Sequence, residues 1–251
     1  LRYFQSVDVV SRKTRIHVHR SRERMSIQQD RPGPPGIIPG YLVVEGPIGV
    51  GKTSLAQKLS LAFGSELLLE RPEENPFLER FYQSHKHFAL PTQLFFLFQR
   101  ARQMQEWKQR DLFAPTRVAD FLLEKDRLFA RLNLDDDELR LYDQVYEQLR
   151  IDLPVPDLVI CLQAPVEVLL ERVYRRGIHF ERSIERGYLE RLNEAYTHFF
   201  HHYTGAPLLM VNAAEVNFVE SDTDFQSLLA FVRSARGGRH FFNPLPAGAS
   251  A

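Results

Sequence analysis

The sequence contains a single cysteine, Cys161, so no internal disulfide can form, which suits a reducing compartment such as the cytoplasm. Long apolar runs are also missing. The densest, over 94–98, is far short of the roughly 20 residues of a membrane span, and no secretory apolar region is present. Net charge is absent too: 32 Lys and Arg face 32 Asp and Glu, which excludes an overall field that would draw nucleic acid or an anionic membrane. Internal repeats and low-complexity blocks do not occur. What remains is a chain of 251 residues, 44% hydrophobic and 25% charged, enough to bury the core of one α/β domain or at most two small ones.

The charge is unevenly placed. Among residues 1–31, Arg2, Arg12, Lys13, Arg15, Arg20, Arg22, Arg24 and Arg31 face only Asp8, Glu23 and Asp30. The segment lacks apolar periodicity and ends in a stretch rich in proline and glycine, which cannot sit inside a helix or a central strand. Residues 1–40 therefore read as a flexible leader. Three explanations stand: an organellar transit peptide, a polyanion-binding arm, or sequence upstream of a start at Met25.

From Tyr41 onward, short apolar runs alternate with longer helical patterns, the signature of a parallel sheet covered by helices on both faces. Strands are predicted over 41–45, 66–70, 116–121, 157–162 and 207–211, giving five. Helices are predicted over 52–62, 91–107, 135–149, 166–175, 188–203 and 223–235, with a flexible tail over 245–251.

The strongest motif is Gly46, Pro47, Ile48, Gly49, Val50, Gly51, Lys52, Thr53, a complete G-x-x-x-x-G-K-[ST] pattern between a predicted strand and a predicted helix, with Ser54 following. Glycines let backbone N–H groups curl around phosphate oxygens, and the helix N-terminus adds a positive dipole end. Lys52 reaches the β and γ phosphates, and Thr53 can hold Mg²⁺. No Asn-Lys-x-Asp element is present to read guanine, so a switch GTPase is disfavoured.

In doubly wound sheets chemistry gathers at the carboxyl ends of the strands. Glu70 and Asp120 are predicted there. One carboxylate can orient or deprotonate an attacking hydroxyl and another can hold Mg²⁺ with Thr53; the plainer reading of both is a solvated acid. Gln93, Phe96 and Arg100 stand at i, i+3 and i+7 and share one helix face, fit either to read and cover a base or to serve the core. Arg172, Arg175 and Arg176 cluster at one helix end before Gly177. They can neutralise charge on a transferring phosphoryl group, or simply be a solvated terminus.

Several segments together resemble the deoxynucleoside kinases. These are Glu45 with the glycine loop, the run from Glu70 to Phe77, Phe81 with Tyr82, the run from Gln93 to Arg100, Arg172 to Gly177 with Phe180 and Glu181, and the run from Phe241 to Pro244, which looks like bacterial members. The resemblance covers about 41–244. It implies an α/β P-loop kinase with an arginine-rich lid over 176–187, transferring the γ-phosphoryl group of ATP to the 5′-hydroxyl of a deoxynucleoside. It implies Glu70 as general base, Tyr82 and Glu181 on the sugar 3′-hydroxyl, Gln93, Arg100 and Asp126 around the base, and Phe129 stacked on it. Lys52, Arg172, Arg176 and Asp120 complete the catalytic set. Deoxyadenosine or deoxyguanosine is the implied substrate, although the same inventory also fits pyrimidines. A cytoplasmic homodimer is implied as well.

Two positions depart from the family. Where Glu-Arg-Ser or Asp-Arg-Ser usually closes the third strand, this chain has Asp120, Phe121, Leu122, and Ile178 stands for another usual arginine. Arg117 and Arg175 are candidates to compensate. The losses keep open a nucleotide-binding regulator of kinase ancestry with little turnover, and a kinase for a nucleoside monophosphate, which would need a further anion site. His198 and His202 have metal-pair spacing without a third ligand, Cys161 reads as core, and Asp135 to Glu138 as a helix N-terminal charge cluster.

Overall fold

The computed structural model describes residues 40–109, 116–149, 154–214, 216, 218 and 221–243. The expected leader, apart from Gly40, and the expected tail lie outside these residues.

Strand β1 (Tyr41–Glu45) runs into the glycine loop and α1 (Lys52–Phe63); β2 (Glu66–Leu68) is followed by α2 (Leu78–Gln83) and α3 (His85–Gln109). Next come β3 (Arg117–Ala119), α4 (Lys125–Asn133), α5 (Asp136–Leu149) and β4 (Leu158–Gln163). The chain continues through α6 (Val166–Arg176), α7 (Arg186–His202), β5 (Leu208–Asn212), α8 (Asp222–Ser234) and β6 (Arg239–Phe242). All strand pairs are parallel, in the order β2-β3-β1-β4-β5-β6, and helices flank the sheet.

The central strands explain the apolar runs. Val43, Val44, Val159, Ile160, Leu162, Leu209 and Val211 are all fully buried, as expected where a parallel sheet is covered on both faces. Each such side chain contributes about 1.5–3 kcal/mol. Strands β2 and β6 contain no buried residue, so the middle of the sheet carries its stability.

Among the described residues the sheet has six strands, not five. The sixth was invisible because β6 is a four-residue edge strand of alternating exposure directly after Gly237 and Gly238, a composition that reads as a tail. Helix α3 starts at His85 rather than at 91. Pro91, a residue suited to a helix start, lies inside the helix, where the chain tolerates the missing N–H donor. Helices α2 and α4 were also missed. Strand β2 ends at Leu68, because the Glu70 N–H leaves the ladder and donates to the Asp120 side chain.

Candidate active site

The glycine loop closes the carboxyl end of β1. Gly49 has φ 84°, and a Cβ there would sit 2.7 Å from the Leu169 carbonyl oxygen, so only glycine lets the loop lie against α6. Gly51, with φ 103°, precedes the first turn of α1, and the left-handed backbone there is one that glycine adopts without strain. Lys52 Nζ donates to the carbonyls of Gly46 at 2.8 Å and Pro47 at 3.1 Å, folding over the cradle it encloses.

Two cavities meet here. The first is lined by Glu70, Asp120, Gln93, Arg100, Tyr82 and Glu181, with Thr92, Phe96, Lys125, Phe129, Tyr188 and Tyr196 completing its wall. The second follows the loop through Val50, Gly51 and Ser54 and is walled by Arg172 and Arg175. Gly49, Lys52, Thr53 and Arg176 line both. Ile48 belongs to the first cavity, whereas Gly46 and Pro47 reach the site through their carbonyls on Lys52.

Asp120 is 2% exposed and has both carboxylate oxygens engaged. Oδ2 accepts the Thr53 hydroxyl at 2.6 Å and Oδ1 accepts the Glu70 N–H at 2.7 Å. Burial pushes its carboxyl above the usual range, more than these two hydrogen bonds lower it. Arg100 donates to both Glu70 Oε1 and Asp126 Oδ1. Asp126 is not in the cavity wall; it is buried and reaches the wall through Arg100, and burial outweighs that arginine to push its carboxyl up to about 6. Burial would also raise Glu70, but Arg100, Lys125 and Lys52 together hold it down at about 2.

At the other end, Arg172 donates to the carbonyls of Val50 at 3.2 Å and Ala213 at 2.7 Å, clasping the glycine loop to the segment after β5. Arg176 pairs with Glu181 through two hydrogen bonds, one of them Nε to Oε2 at 3.0 Å. The segment expected to act as a lid contains a 3₁₀ turn over His179–Ser183, which buries Glu181 and stacks Phe180 parallel to Tyr82. Phe129 packs edge-on against Tyr196.

Sequence reasoning missed a buried set of partners. Glu45, fully buried at the end of β1, accepts the N–H groups of Gly46 at 2.9 Å and Leu122 at 2.8 Å and the Tyr196 hydroxyl at 3.0 Å. Lys125, 2% exposed, lies 3.5 Å from Glu45 Oε2 and 3.4 Å from Glu70 Oε2. An acid ending an otherwise apolar strand was the available signal for Glu45; Lys125 sits in a charged run, Glu124 to Arg127, that reads as a surface. The compensation expected from Arg117 does not occur. Its guanidinium pairs with Glu66 at 2.9 Å and covers the Trp107 ring, and Arg175 is exposed on the second cavity. Phe121 is fully buried against Met104 and Trp107, with the Arg100 guanidinium over its ring. His202 Nδ1 meets the His198 carbonyl at 3.0 Å, and among the described residues no group of three or more His, Cys, Asp or Glu could hold a metal ion.

Comparison with known proteins agrees with this geometry. The sequence profile described as deoxynucleoside kinase matches residues 42–235. A deoxyguanosine kinase of Bacillus subtilis is 34% identical over 198 residues, covering 77% of this chain and 96% of that protein. A deoxyadenosine kinase of Lactobacillus acidophilus is 28% identical, covering 71% and 87%. In structure, the fold is similar to that of a deoxyadenosine kinase from M. mycoides with bound dATP, with a TM-score of 0.67 at 24% identity, covering 76% of this chain and 98% of that one. With the family profile matched over most of the chain and a relative 34% identical over 77% of it, the chain belongs to the deoxynucleoside kinase family.

Proposed function

We propose that this chain phosphorylates the 5′-hydroxyl of a deoxynucleoside with ATP, with deoxyadenosine and deoxyguanosine favoured. The observation that carries this reading is the meeting of two cavities over Gly49, Lys52, Thr53 and Arg176, one beside a phosphate loop and the other beside the buried Asp120, the partly buried Glu70 and a wall of aromatic and amide side chains.

In this reading the glycine-loop N–H groups and Lys52 hold the donor phosphates, and Glu70 accepts the proton of the 5′-hydroxyl as its oxygen bonds to the γ-phosphorus. The bond from that phosphorus to the β,γ-bridging oxygen breaks, and ADP leaves. Arg172 and Arg176 stabilise charge on the transferring group, with 176–187 serving as the lid. Thr53 and Asp120 fit a Mg²⁺ ion, since their hydroxyl and carboxylate oxygens converge within 2.6 Å and such an ion takes one or two protein oxygens beside substrate phosphates. When bound it neutralises charge on the β and γ oxygens.

Tyr82 and Glu181 frame the sugar. Gln93, with both donor and acceptor on its amide, faces the base together with Arg100 and Phe129. Among the described residues Arg100 Nε and Thr92 Oγ1 are buried without a hydrogen-bond partner, so bound substrate would give them one. The names of the similar deoxyguanosine and deoxyadenosine kinases support a purine. The kinase domain spans 41–244; exposed Phe98 on α3 and Leu141 on α5 support a homodimer, and the single buried cysteine supports a cytoplasmic setting. Among the described residues no helix is long and apolar enough to cross a membrane.

The test is an ATP- and Mg²⁺-dependent assay offering the four deoxynucleosides and their monophosphates separately. Purine deoxynucleosides should give 5′-monophosphates. Turnover of monophosphates alone, or ATP binding with no turnover, would overturn the reading.

A further inference from the structure

The arginine missing at Phe121 raises the question of what cation serves Glu70 in its place. Arg100 meets Oε1, but Arg100 is shared with Asp126, so one guanidinium serves two carboxylates, Asp126 buried and Glu70 partly buried. Glu45 adds a third carboxylate, whose other partners are all neutral: two backbone N–H groups and the Tyr196 hydroxyl. Buried carboxylates in this arrangement need a second cation, because an unpaired buried charge is strongly destabilised. Lys125, on the first turn of α4, is 3.4 Å from Glu70 Oε2 and 3.5 Å from Glu45 Oε2, and lines the first cavity.

Resting on the function proposed above, we infer that Lys125 is a positioning residue that replaces the strand-end arginine, holding Glu70 toward the acceptor and linking it to the start of the phosphate loop through Glu45. The link is direct. Glu45 Oε1 accepts the Gly46 N–H, so one ammonium joins the proton acceptor to the backbone that cradles the donor phosphates. Lys125 keeps its charge in this setting: burial would lower its pKa, but Glu45 and Glu70 outweigh it. Displacing the cation from the strand end to the helix also leaves position 121 free for an apolar wall beneath Arg100.

The test compares Lys125→Met with the parent chain in single-turnover phosphorylation of a deoxynucleoside, alongside nucleoside binding. Lys125→Met should slow phosphoryl transfer by about ten- to a hundredfold while nucleoside Kd changes by less than about threefold, because the loss acts on orientation rather than binding. Lys125→Arg should recover most of that rate. In a Glu70→Gln background Lys125→Met should cost less than about twofold more, since the lysine acts through Glu70. Unchanged transfer in Lys125→Met, or an equal further loss in the Glu70→Gln background, would overturn the assignment. Should Lys125→Met not fold, Lys125→Gln, which retains hydrogen-bond donors without the charge, is read in the same way. Loss of cooperative unfolding in both would assign the lysine to the fold and overturn its role on Glu70. If the parent phosphorylates no deoxynucleoside, the functional reading fails and this inference falls with it; an active parent with an indifferent Lys125→Met variant defeats the inference alone.

Discussion

Asp120 Oδ1 accepts the backbone N–H of Glu70 at 2.7 Å, so one strand-end acid fixes the main chain of the other. Its second oxygen holds the Thr53 hydroxyl, which ties both to the first turn of α1. A carboxylate with this double duty serves structure as well as chemistry. Asp120→Ala should lower the free energy of unfolding by about 3–6 kcal/mol, the sum expected for two bonds to a charged acceptor at about 1.5–3 kcal/mol each, as measured by urea denaturation. It should also reduce kcat at least about tenfold; a loss of under about 0.5 kcal/mol would contradict the tie.

The glycine loop offers a steric prediction. Gly49→Ala forces a Cβ to within 2.7 Å of the Leu169 carbonyl in a backbone conformation with φ 84°. Raising KM for ATP more than about tenfold and costing about 1–3 kcal/mol of stability is the expected outcome. Steady-state kinetics with a thermal melt checks it, and unchanged ATP affinity would count against the loop's close approach to α6.

Two arginines should separate by substrate. Arg176 is bonded to Glu181 in the first cavity, proposed for the acceptor, whereas Arg172 clasps Val50 and Ala213 beside the second, proposed for the donor. Arg176→Ala should therefore raise KM for the deoxynucleoside and lower kcat, while Arg172→Ala raises KM for ATP and lowers kcat. Bisubstrate kinetics distinguishes them; identical KM changes in the two variants would refute the division.

The acid side of the pH profile should belong to Asp126. Glu70, held down at about 2, contributes stability that is present above the ordinary glutamate pKa and lost as pH falls through about 2, so it is ionised throughout the assay range. Asp126, raised to about 6 by burial, has the opposite sign: its stabilising contribution is complete below the ordinary aspartate pKa and lost as pH rises through about 6. Its ionised form is the one that pairs with Arg100. Accordingly kcat/KM should fall below about pH 6 in the parent, and Asp126→Asn should lower the plateau and remove that limb. A limb unchanged in Asp126→Asn would assign it elsewhere.

Much of this was legible in the sequence, for physical reasons that differ by element. Strands β1, β4 and β5 announced themselves because strands buried on both faces must be continuously apolar. The glycine loop was legible because its glycines and lysine stand at fixed spacing. Strand β6 was not, since an edge strand needs no apolar run. Helix α4 was hidden because its first two residues, Lys125 and Asp126, are charged yet buried, and their partners Glu45, Glu70 and Arg100 lie 26 to 80 positions away in sequence. Local pattern carries no trace of a charge pair closed across the sheet. Arg117 illustrates the converse: a candidate to compensate for Phe121 in the sequence, it is bound to Glu66 and Trp107 instead.

In the proposed mechanism Glu70 accepts the proton of the acceptor hydroxyl beside the glycine loop. Comparing Glu70→Gln with the parent chain, using ATP, Mg²⁺ and deoxyguanosine or deoxyadenosine, tests it most directly. The account predicts 5′-monophosphate from the parent, kcat lowered by about 10²–10⁴-fold in the variant, and nucleoside Kd altered by less than about threefold. Equal kcat values in the two proteins would contradict it.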